Sequence, residues 1–274
     1  MKQIAVMMML IAIPCFGILN KPKWEERESL GKHFKTAKVK GTFLLYDLKK
    51  NQYIGYDLKR ANTGFLPASS YKIFNSLVAL ETGAVRDETE VLKWDGIERG
   101  IKWNGTVRNV PSWNQDQNMR DAIKNSTVWF YQEMARRIGQ EKMQKYIKQA
   151  RYGNMNIGGG IDRFWLDGKL RITAKEQIEF LIKLYQNKLP FSGRSISIVK
   201  DIILNEKTDK YVLRAKTGWA FDVTPQIGWW VGYVERDGNA YFFAMNIDIV
   251  NPDNDLSART EVTKSILREM KIID

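Results

Sequence analysis

Strand-like apolar patterns occupy the two ends of the chain. Short runs rich in β-branched and aromatic residues alternate there with turn residues, which is typical of strands that pack on a core. The dipeptide Asp237-Gly238 favours a tight hairpin turn between two of these runs. The predicted strands are Thr42–Leu48, Tyr53–Leu58, Tyr211–Ala215, Ile227–Glu235 and Ala240–Ile249.

Helical periodicity fills the middle of the chain and its last residues. Apolar side chains recur at helical spacing after Ser69, and Gly83 supplies a stop signal. Thr173 and Glu176 stand at the spacing of a capping box, which predicts a helix from there through Tyr185. The other predicted helices are Ser69–Thr82, Met119–Ile138, Gln140–Ala150 and Ser257–Lys271.

One segment, Ile97–Gln117, has little periodicity. It contains Gly100 and Pro111, which interrupt regular structure, so it is predicted to be a long loop. Its Trp113 either fills a small local core or borders a ligand groove.

The order of strands, then helices, then strands predicts an α+β fold. We expect one antiparallel β-sheet built from both chain ends and flanked by helices, with an inserted all-helical lobe. The sheet lobe is placed at about residues 19–66 and 205–274, and the helical lobe at about residues 67–204. A ligand cleft is expected at the seam between the two lobes.

Residues 1–18 are predicted to be a secretory signal peptide. Lys2 is followed by the apolar run Ile4–Ile13, which is too short to span a bilayer; a buried N-terminal helix is the alternative. No other apolar run reaches about 18 residues, so no stable membrane span is expected. Cys15 is the only cysteine, and Pro14 before it disfavours a lipid anchor there. We expect an exported protein, periplasmic or secreted and associated with the cell envelope.

The charge pattern argues against nucleic-acid binding. The formal net charge is +12, but the basic residues are spread along the chain among acidic ones, as at Glu141, Lys142, Lys145 and Lys148. The single histidine, His33, argues against a Ser-His-Asp hydrolase. The sequence has no cluster of His, Cys and Asp with metal-ligand spacing, so no metal cofactor is expected.

Four short motifs follow one another in a fixed order. Ser-x-x-Lys is a weak signal alone because it occurs three times in this chain. The ordered set is far more specific. It consists of Pro67-Ala68-Ser69-Ser70-Tyr71-Lys72, Ser126-Thr127-Val128, Tyr152-Gly153-Asn154 and Lys216-Thr217-Gly218.

Ser69 and Lys72 have the spacing of a nucleophile and its base. A hydroxyl is a weak nucleophile until a base takes its proton, and residues i and i+3 are neighbours on a helix. The helix N-terminus also favours developing negative charge. Apolar Val128, followed by Trp129 and Phe130, favours a dry pocket in which the lysine amine is uncharged. Alternatively, Ser69 only caps the helix and Lys72 is solvated.

The ordered motifs resemble those of the serine β-lactamase and penicillin-binding superfamily, and within it the class D β-lactamases (oxacillinases), over about Lys23–Asp274. The resemblance implies hydrolysis of the β-lactam ring of penicillin-type antibiotics through a Ser69 acyl-enzyme, which gives antibiotic resistance. It also implies that N-carboxylated Lys72 (N6-carboxylysine) is the general base, with carbon dioxide or bicarbonate as the source of the carbamate.

The resemblance assigns further roles around the base. Trp165 matches the residue whose indole N–H holds the carbamate, although a core aromatic is the alternative; an indole N–H is donor-only and suits an anion. Leu166 and Val128 belong to the apolar lid and wall. Ser126 carries protons towards the leaving lactam nitrogen. Tyr152-Gly153-Asn154 is expected to turn the chain behind the cleft.

Substrate recognition is assigned to two later segments. Lys216 attracts the substrate carboxylate, Thr217 hydrogen-bonds it, and Gly218 permits close approach of the backbone. The backbone N–H groups of Trp219 and of the nucleophilic serine form an oxyanion hole. Arg259 matches an arginine that grips the β-lactam carboxylate, since guanidinium groups fit carboxylates bidentately.

Two other functions share part of these motifs. One is an extracellular β-lactam sensor that stays acylated, and the other is a penicillin-binding transpeptidase or carboxypeptidase. Sensors belong to larger proteins with several transmembrane helices. Trp165, Tyr152-Gly153-Asn154 and the short chain favour class D. The sequence predicts neither the oligomeric state nor the preferred β-lactam.

Overall fold

The computed structural model describes residues 21–103 and 106–274. The predicted signal peptide, with Cys15, lies outside the described residues. The strands are β1 (Lys23–Glu26), β2 (Gly41–Asp47), β3 (Gln52–Tyr56), β4 (Gly100–Trp103), β5 (Thr106–Asn109), β6 (Leu204–Lys207), β7 (Tyr211–Ala220), β8 (Gln226–Arg236) and β9 (Asn239–Ile249). The helices are α1 (Gly31–Ala37), α2 (Leu58–Ala61), α3 (Lys72–Thr82), α4 (Met119–Lys124), α5 (Val128–Ile138), α6 (Gln140–Ala150), α7 (Ala174–Tyr185), α8 (Gly193–Ile202) and α9 (Pro252–Glu269).

Both chain ends contribute to one seven-stranded sheet. Its strand order is β1-β3-β2-β9-β8-β7-β6, and every neighbouring pair is antiparallel except β1 and β3 at the edge. Asp237 and Gly238 join β8 to β9 with φ angles of 52° and 66°, the left-handed backbone that such a turn requires. The predicted α+β class, with a sheet built from both ends, is confirmed.

Apolar side chains cover both faces of the sheet. Successive side chains of a strand point to opposite faces. In β2, Phe43 and Leu45 therefore pack on the side of α1 and α9, whereas Leu44 belongs to the larger core that includes α3, α5 and α7. In β9, Phe243 and Phe242 divide in the same way. This double burial explains the nearly continuous apolar runs of the central strands.

Two predicted helices have different starts or breaks. The prediction of one helix over Met119–Ile138 is wrong, because α4 ends at Lys124 and α5 begins at Val128. Ser126, between them, has a φ of 56°, and its carbonyl accepts a hydrogen bond from Lys72 Nζ at 3.0 Å. A tertiary contact thus takes a carbonyl that a continuous helix would use. The helix predicted from Ser69 begins with a 3-10 turn, Ala68–Tyr71, before α3.

The segment predicted to be a long loop is partly ordered as a hairpin. Within Ile97–Gln117, β4 and β5 pair antiparallel, with Ile101 opposite Arg108. β7 also continues past its predicted end at Ala215 to Ala220, and α9 begins five residues before the predicted Ser257. Five elements were not predicted at all, namely β1, β6, α1, α2 and α8.

The helices α3 to α8 lie in sequence between the two groups of sheet strands. The division into a sheet lobe and a helical lobe at about residues 66 and 205 stays a prediction. No helix in the described ranges is both long enough and apolar enough to cross a membrane.

The capping box of α7 generates a test of local stability. Thr173 Oγ1 accepts from Glu176 N (3.0 Å) and Glu176 Oε2 accepts from Thr173 N (2.8 Å). Thr173→Ala removes one of these bonds, so we expect the free energy of unfolding to fall by about 1 kcal/mol in urea denaturation. Thr173→Ser keeps the hydroxyl and should stay close to wild type. Equal losses in both variants would show that the cap bond is not the cause.

Candidate active site

Ser69 lies in the 3-10 turn before α3, and buried hydrogen bonds hold this turn. Ala68 has a φ of 48°, an uncommon conformation for a residue with a Cβ atom. Its N–H donates to Trp165 O at 3.0 Å. The next hydroxyl, Ser70 Oγ, accepts from Gln177 Nε2 at 2.8 Å. The turn is therefore fixed from two directions, by the segment that carries Trp165 and by α7.

A continuous hydrogen-bonded chain joins residues from three of the four motifs. Lys72 Nζ donates to Ser69 Oγ at 2.7 Å and to Ser126 O at 3.0 Å, and lies 3.4 Å from Ser126 Oγ. On the other side, Lys216 Nζ donates to Ser126 Oγ at 3.0 Å and to Thr217 Oγ1 at 3.3 Å. Two lysines that are 144 residues apart in sequence thus meet around one serine hydroxyl.

Burial controls the charge of both lysines. Desolvation, and secondly the positive charge of Lys216, hold the pKa of Lys72 well below its usual value. Burial, and secondly the charge of Arg259, lower the pKa of Lys216 to about 7. Tyr131 adds a ring whose centroid lies 5.3 Å from Lys72 Nζ. The lowered pKa of Lys72 favours the uncharged amine, the form in which a lysine can accept a proton.

Trp165 is buried beside the hydrogen-bonded residues Ser69, Lys72, Ser126 and Lys216. Its ring stacks on Tyr71 with centroids 5.2 Å apart and an angle of 25° between the planes. Within the part of the chain that the structure describes, its Nε1 has no hydrogen-bond partner. A buried donor without a partner is unfavourable. This N–H is therefore suited to an acceptor that a ligand or a modified side chain would supply. Val128 and Leu166 are half-buried and line the nearby cavity.

Strand β7 runs against the turn that carries Ser69. A Cβ atom at Gly218 would lie 3.0 Å from Pro67 O and 3.1 Å from Ser70 N, so only glycine allows this approach without a shift of backbone. Trp219 follows and lines the cavity, with its Nε1 donating to Gln226 Oε1 at 3.0 Å. The indole is therefore held in place by the neighbouring strand.

Arg259 reaches the cavity from α9. Its Nη1 donates to Gly218 O at 2.8 Å and its Nε to Leu256 O at 2.7 Å. A Cβ atom at Gly228 would lie 2.7 Å from Arg259 Cδ, so the glycine leaves the space that the arginine stem occupies. Burial lowers the pKa of Arg259 to about 10, and the group stays a cation at neutral pH.

The motif Tyr152-Gly153-Asn154 lies behind the site. Tyr152 is buried, and its ring contacts Tyr71 with centroids 5.6 Å apart. Gly153 has a φ of 52°, and a Cβ atom there would lie 2.2 Å from Arg171 O. Asn154 Oδ1 accepts from Arg171 N at 3.0 Å. These contacts are those of a structural turn that supports the residues around Lys72.

A cavity of about 220 Å³ lies in front of the hydrogen-bonded chain that joins Ser69 to Lys216. Eight of its lining residues belong to the predicted site, namely Ser69, Ser126, Val128, Leu166, Thr217, Gly218, Trp219 and Arg259. Lys72, Trp165 and Lys216 lie behind that lining and are buried. Sequence reasoning did not assign Ile101, Val110, Asn125, Phe221 and Leu256 to the site, and it left two places for Trp113.

Trp113 occupies both of the places considered for it. It is buried, and its Nε1 donates to Asn125 O at 2.9 Å, which fixes the residue before Ser126. It also lines the cavity. The described residues include no group of three or more His, Cys, Asp or Glu side chains that would hold a metal ion.

Comparisons with known proteins agree with this geometry. The penicillin binding protein transpeptidase domain family matches residues 39–268. The chain is 47% identical to β-lactamase OXA-48 of Klebsiella pneumoniae over 251 residues, covering 92% of this chain and 91% of the relative. It is 40% identical to β-lactamase OXA-5 of Pseudomonas aeruginosa over 276 residues, covering 100% and 99%.

Solved structures give the same result. The class D β-lactamase YbXI from Nostoc has a TM-score of 0.85 and 51% identity, covering 90% of this chain and all of that one. The class D enzyme FUS-1 (OXA-85) from Fusobacterium nucleatum subsp. polymorphum has a TM-score of 0.83 and 40% identity, covering 91% and 100%. With the fold, the ordered motifs and these matches in agreement, the chain belongs to the class D β-lactamases.

Proposed function

We propose that this protein opens the β-lactam ring of penicillin-type antibiotics through a Ser69 acyl-enzyme and then hydrolyses that intermediate, which gives resistance to the drug. The observation that carries the proposal is the chain from Ser69 through Lys72 and Ser126 to Lys216, with contacts of 2.7–3.4 Å behind an open cavity. In this arrangement a nucleophile, a base and a proton carrier lie side by side.

Lys72 is proposed to act as its N-carboxylated form, with carbon dioxide or bicarbonate as the source. The residues fit this group. Burial holds the pKa of the amine well below its usual value, and Val128 and Leu166 supply apolar walls. Among the residues that the structure describes, the buried Nε1–H of Trp165 has no hydrogen-bond partner. When present, the carbamate supplies a general base for both acylation and deacylation. Trp165 would orient it by donating a hydrogen bond.

Ser126 is proposed to carry the proton to the departing lactam nitrogen. Its hydroxyl lies between the two amines, at 3.4 Å from Lys72 Nζ and 3.0 Å from Lys216 Nζ. As the carbon–nitrogen bond of the lactam breaks, Ser126 Oγ donates its proton to the nitrogen, and the proton that the Lys72 side chain has taken from Ser69 Oγ replaces it. The left-handed backbone at Ser126 holds the hydroxyl in this position.

The substrate carboxylate is proposed to bind at the other end of the cavity. Lys216 presents an amine with a pKa of about 7, Thr217 a hydroxyl and Arg259 a guanidinium cation there. The oxyanion that forms in each step would accept from the backbone N–H groups of Ser69 and Trp219. This assignment is supported by the close contact of β7 with the Ser69 turn. Removal of one such donor typically costs about 10²–10³ in rate.

We also propose that residues 1–18 direct export and are removed. The support is the sequence pattern of a short basic start and an apolar run. The intact mass of the purified protein tests this directly, because removal of residues 1–18 lowers that mass.

Time-resolved intact mass spectrometry with benzylpenicillin tests the function. We expect a brief adduct of one drug molecule on the wild-type chain, with continuous product formation. Ser69→Ala should form neither adduct nor product, whereas Ser197→Ala, at the exposed serine of another Ser-x-x-Lys sequence, should still form the adduct. A stoichiometric wild-type adduct that persists without product would instead identify a sensor or a penicillin-binding protein.

Lys72→Ala tests the proposed base. We expect loss of turnover by at least the roughly 10²–10⁴-fold that a general base contributes, with drug binding retained. Steady-state hydrolysis and a binding titration would measure the two effects. Lys200→Ala, on α8, removes a lysine from another Ser-x-x-Lys sequence and serves as the matched control. A Lys72→Ala rate near that of wild type would reject the mechanism.

The pH and bicarbonate dependence of the rate tests the carbamate. A protonated amine cannot carry the carbamate, which is proposed to be reversible and lost on protonation, so the rate should fall in mildly acidic buffer. The lowered pKa of Lys72 favours the amine form that takes up carbon dioxide at higher pH. Added bicarbonate should restore the rate. Trp165→Phe removes the N–H and should shift the bicarbonate response to higher concentrations, whereas Trp24→Phe, at an exposed position, should not. Rates indifferent to both pH and bicarbonate would exclude the carbamate.

A further inference from the structure

The entrance of the cavity is built from two segments that are far apart in sequence. One side is the β4–β5 hairpin, where Ile101 and the following Val110 line the cavity, and the other is the first part of α9, where Leu256 does. Ile101 pairs with Arg108 across the hairpin, and residues opposite each other in an antiparallel pair project to the same face. Arg108 therefore extends from the face of the hairpin that borders the cavity.

On α9, three residues at intervals of three form one stripe. Positions i and i+3 are neighbours on a helix surface, so Asp253, Leu256 and Arg259 follow one another along the same side. Arg259 is the innermost, with its hydrogen bond to Gly218 O, and Leu256 lines the wall. Asp253 is exposed and stands at the outer end of the stripe.

Arg108 and Asp253 join the two sides of the entrance. Arg108 Nη1 donates to Asp253 Oδ1 at 2.5 Å and Nη2 to Oδ2 at 3.3 Å, which is the paired geometry that guanidinium and carboxylate favour. Neither residue lines the cavity, but each belongs to an element that does, through Ile101 on the hairpin and Leu256 on α9. The pair thus connects the two elements that contribute these wall residues.

We propose that the Arg108–Asp253 ion pair is a latch that restricts the entrance and so determines which β-lactam side chains the enzyme accepts; this rests on the proposed function. The cavity, about 220 Å³, is smaller than the roughly 300–1,000 Å³ that usually holds a drug-sized ligand. A compact penicillin fits with little movement of the entrance, whereas a bulky acyl side chain requires the hairpin to move away from α9.

The latch is weak enough to open during the reaction. Its two side chains are 54% and 61% exposed, and exposed ion pairs contribute little and are screened by salt. The latch is therefore expected to change the ratio of acylation rates between bulky and compact β-lactams only a few-fold. This effect should decrease as ionic strength rises.

Charge reversal tests the latch. The measured quantity is the second-order rate constant for acylation of Ser69, followed by intact mass, with benzylpenicillin as the compact drug and oxacillin as the bulky one. Arg108→Asp and Asp253→Arg should each raise the oxacillin-to-benzylpenicillin ratio about two- to fivefold. The double variant, which restores an opposite pair, should return the ratio to that of wild type. High salt should raise the wild-type ratio towards that of the single variants.

Arg86→Asp is the matched control, since it makes the same change of charge at an exposed arginine that does not line the cavity. Its ratio should equal that of wild type. An unchanged ratio in the single variants, or a double variant that does not restore it, would overturn the latch while leaving the proposed function intact. A wild-type chain that neither drug acylates would contradict the proposed function, and the latch with it.

Discussion

The burial of two lysine amines on either side of one serine hydroxyl is the constraint on which this structure depends. Lys72 and Lys216 are 1% and 6% exposed, and Ser126 Oγ lies between them. Burial away from water, and for Lys72 also the nearby charge of Lys216, lowers the pKa of both amines. The helix α3, the loop before α5 and strand β7 converge to impose this arrangement, and the fold thereby favours an uncharged amine beside a hydroxyl.

The convergence requires backbone conformations that an isolated chain would avoid. Ala68 and Ser126 both have left-handed φ angles, each of which costs roughly 1–3 kcal/mol for a residue other than glycine. Surrounding contacts offset that cost. The Ala68 N–H donates to Trp165, and the Ser126 carbonyl accepts from Lys72. Gly218 and Gly228 remove the side chains that would hold β7 and Arg259 away. Strain and close packing are thus concentrated at the residues proposed to react.

The parts of the fold that were predictable are those that local sequence determines. The α7 capping box, the Asp237-Gly238 turn and the bounds of α6 depend on neighbouring residues, and all three match the structure. The break at Ser126 was missed because a lysine 54 residues earlier takes its carbonyl. The order of the motifs, in contrast, identified the polar residues that meet in the site. The apolar wall residues Ile101 and Leu256 carry no comparable spacing signal, since any surface or core position accommodates them.

The site therefore combines two kinds of structure. The inner part of the site consists of buried polar groups that hydrogen-bond to one another. The loss of any one leaves a partner buried without a hydrogen bond, which costs about 1–3 kcal/mol of free energy, or more for charged groups. Its entrance consists of half-exposed apolar side chains and an ion pair such as Arg108–Asp253, where a change leaves nothing buried without a partner. The buried polar residues therefore tolerate few substitutions, whereas the residues at the entrance tolerate many. It follows that differences in β-lactam preference between related chains should reside in the hairpin and the start of α9.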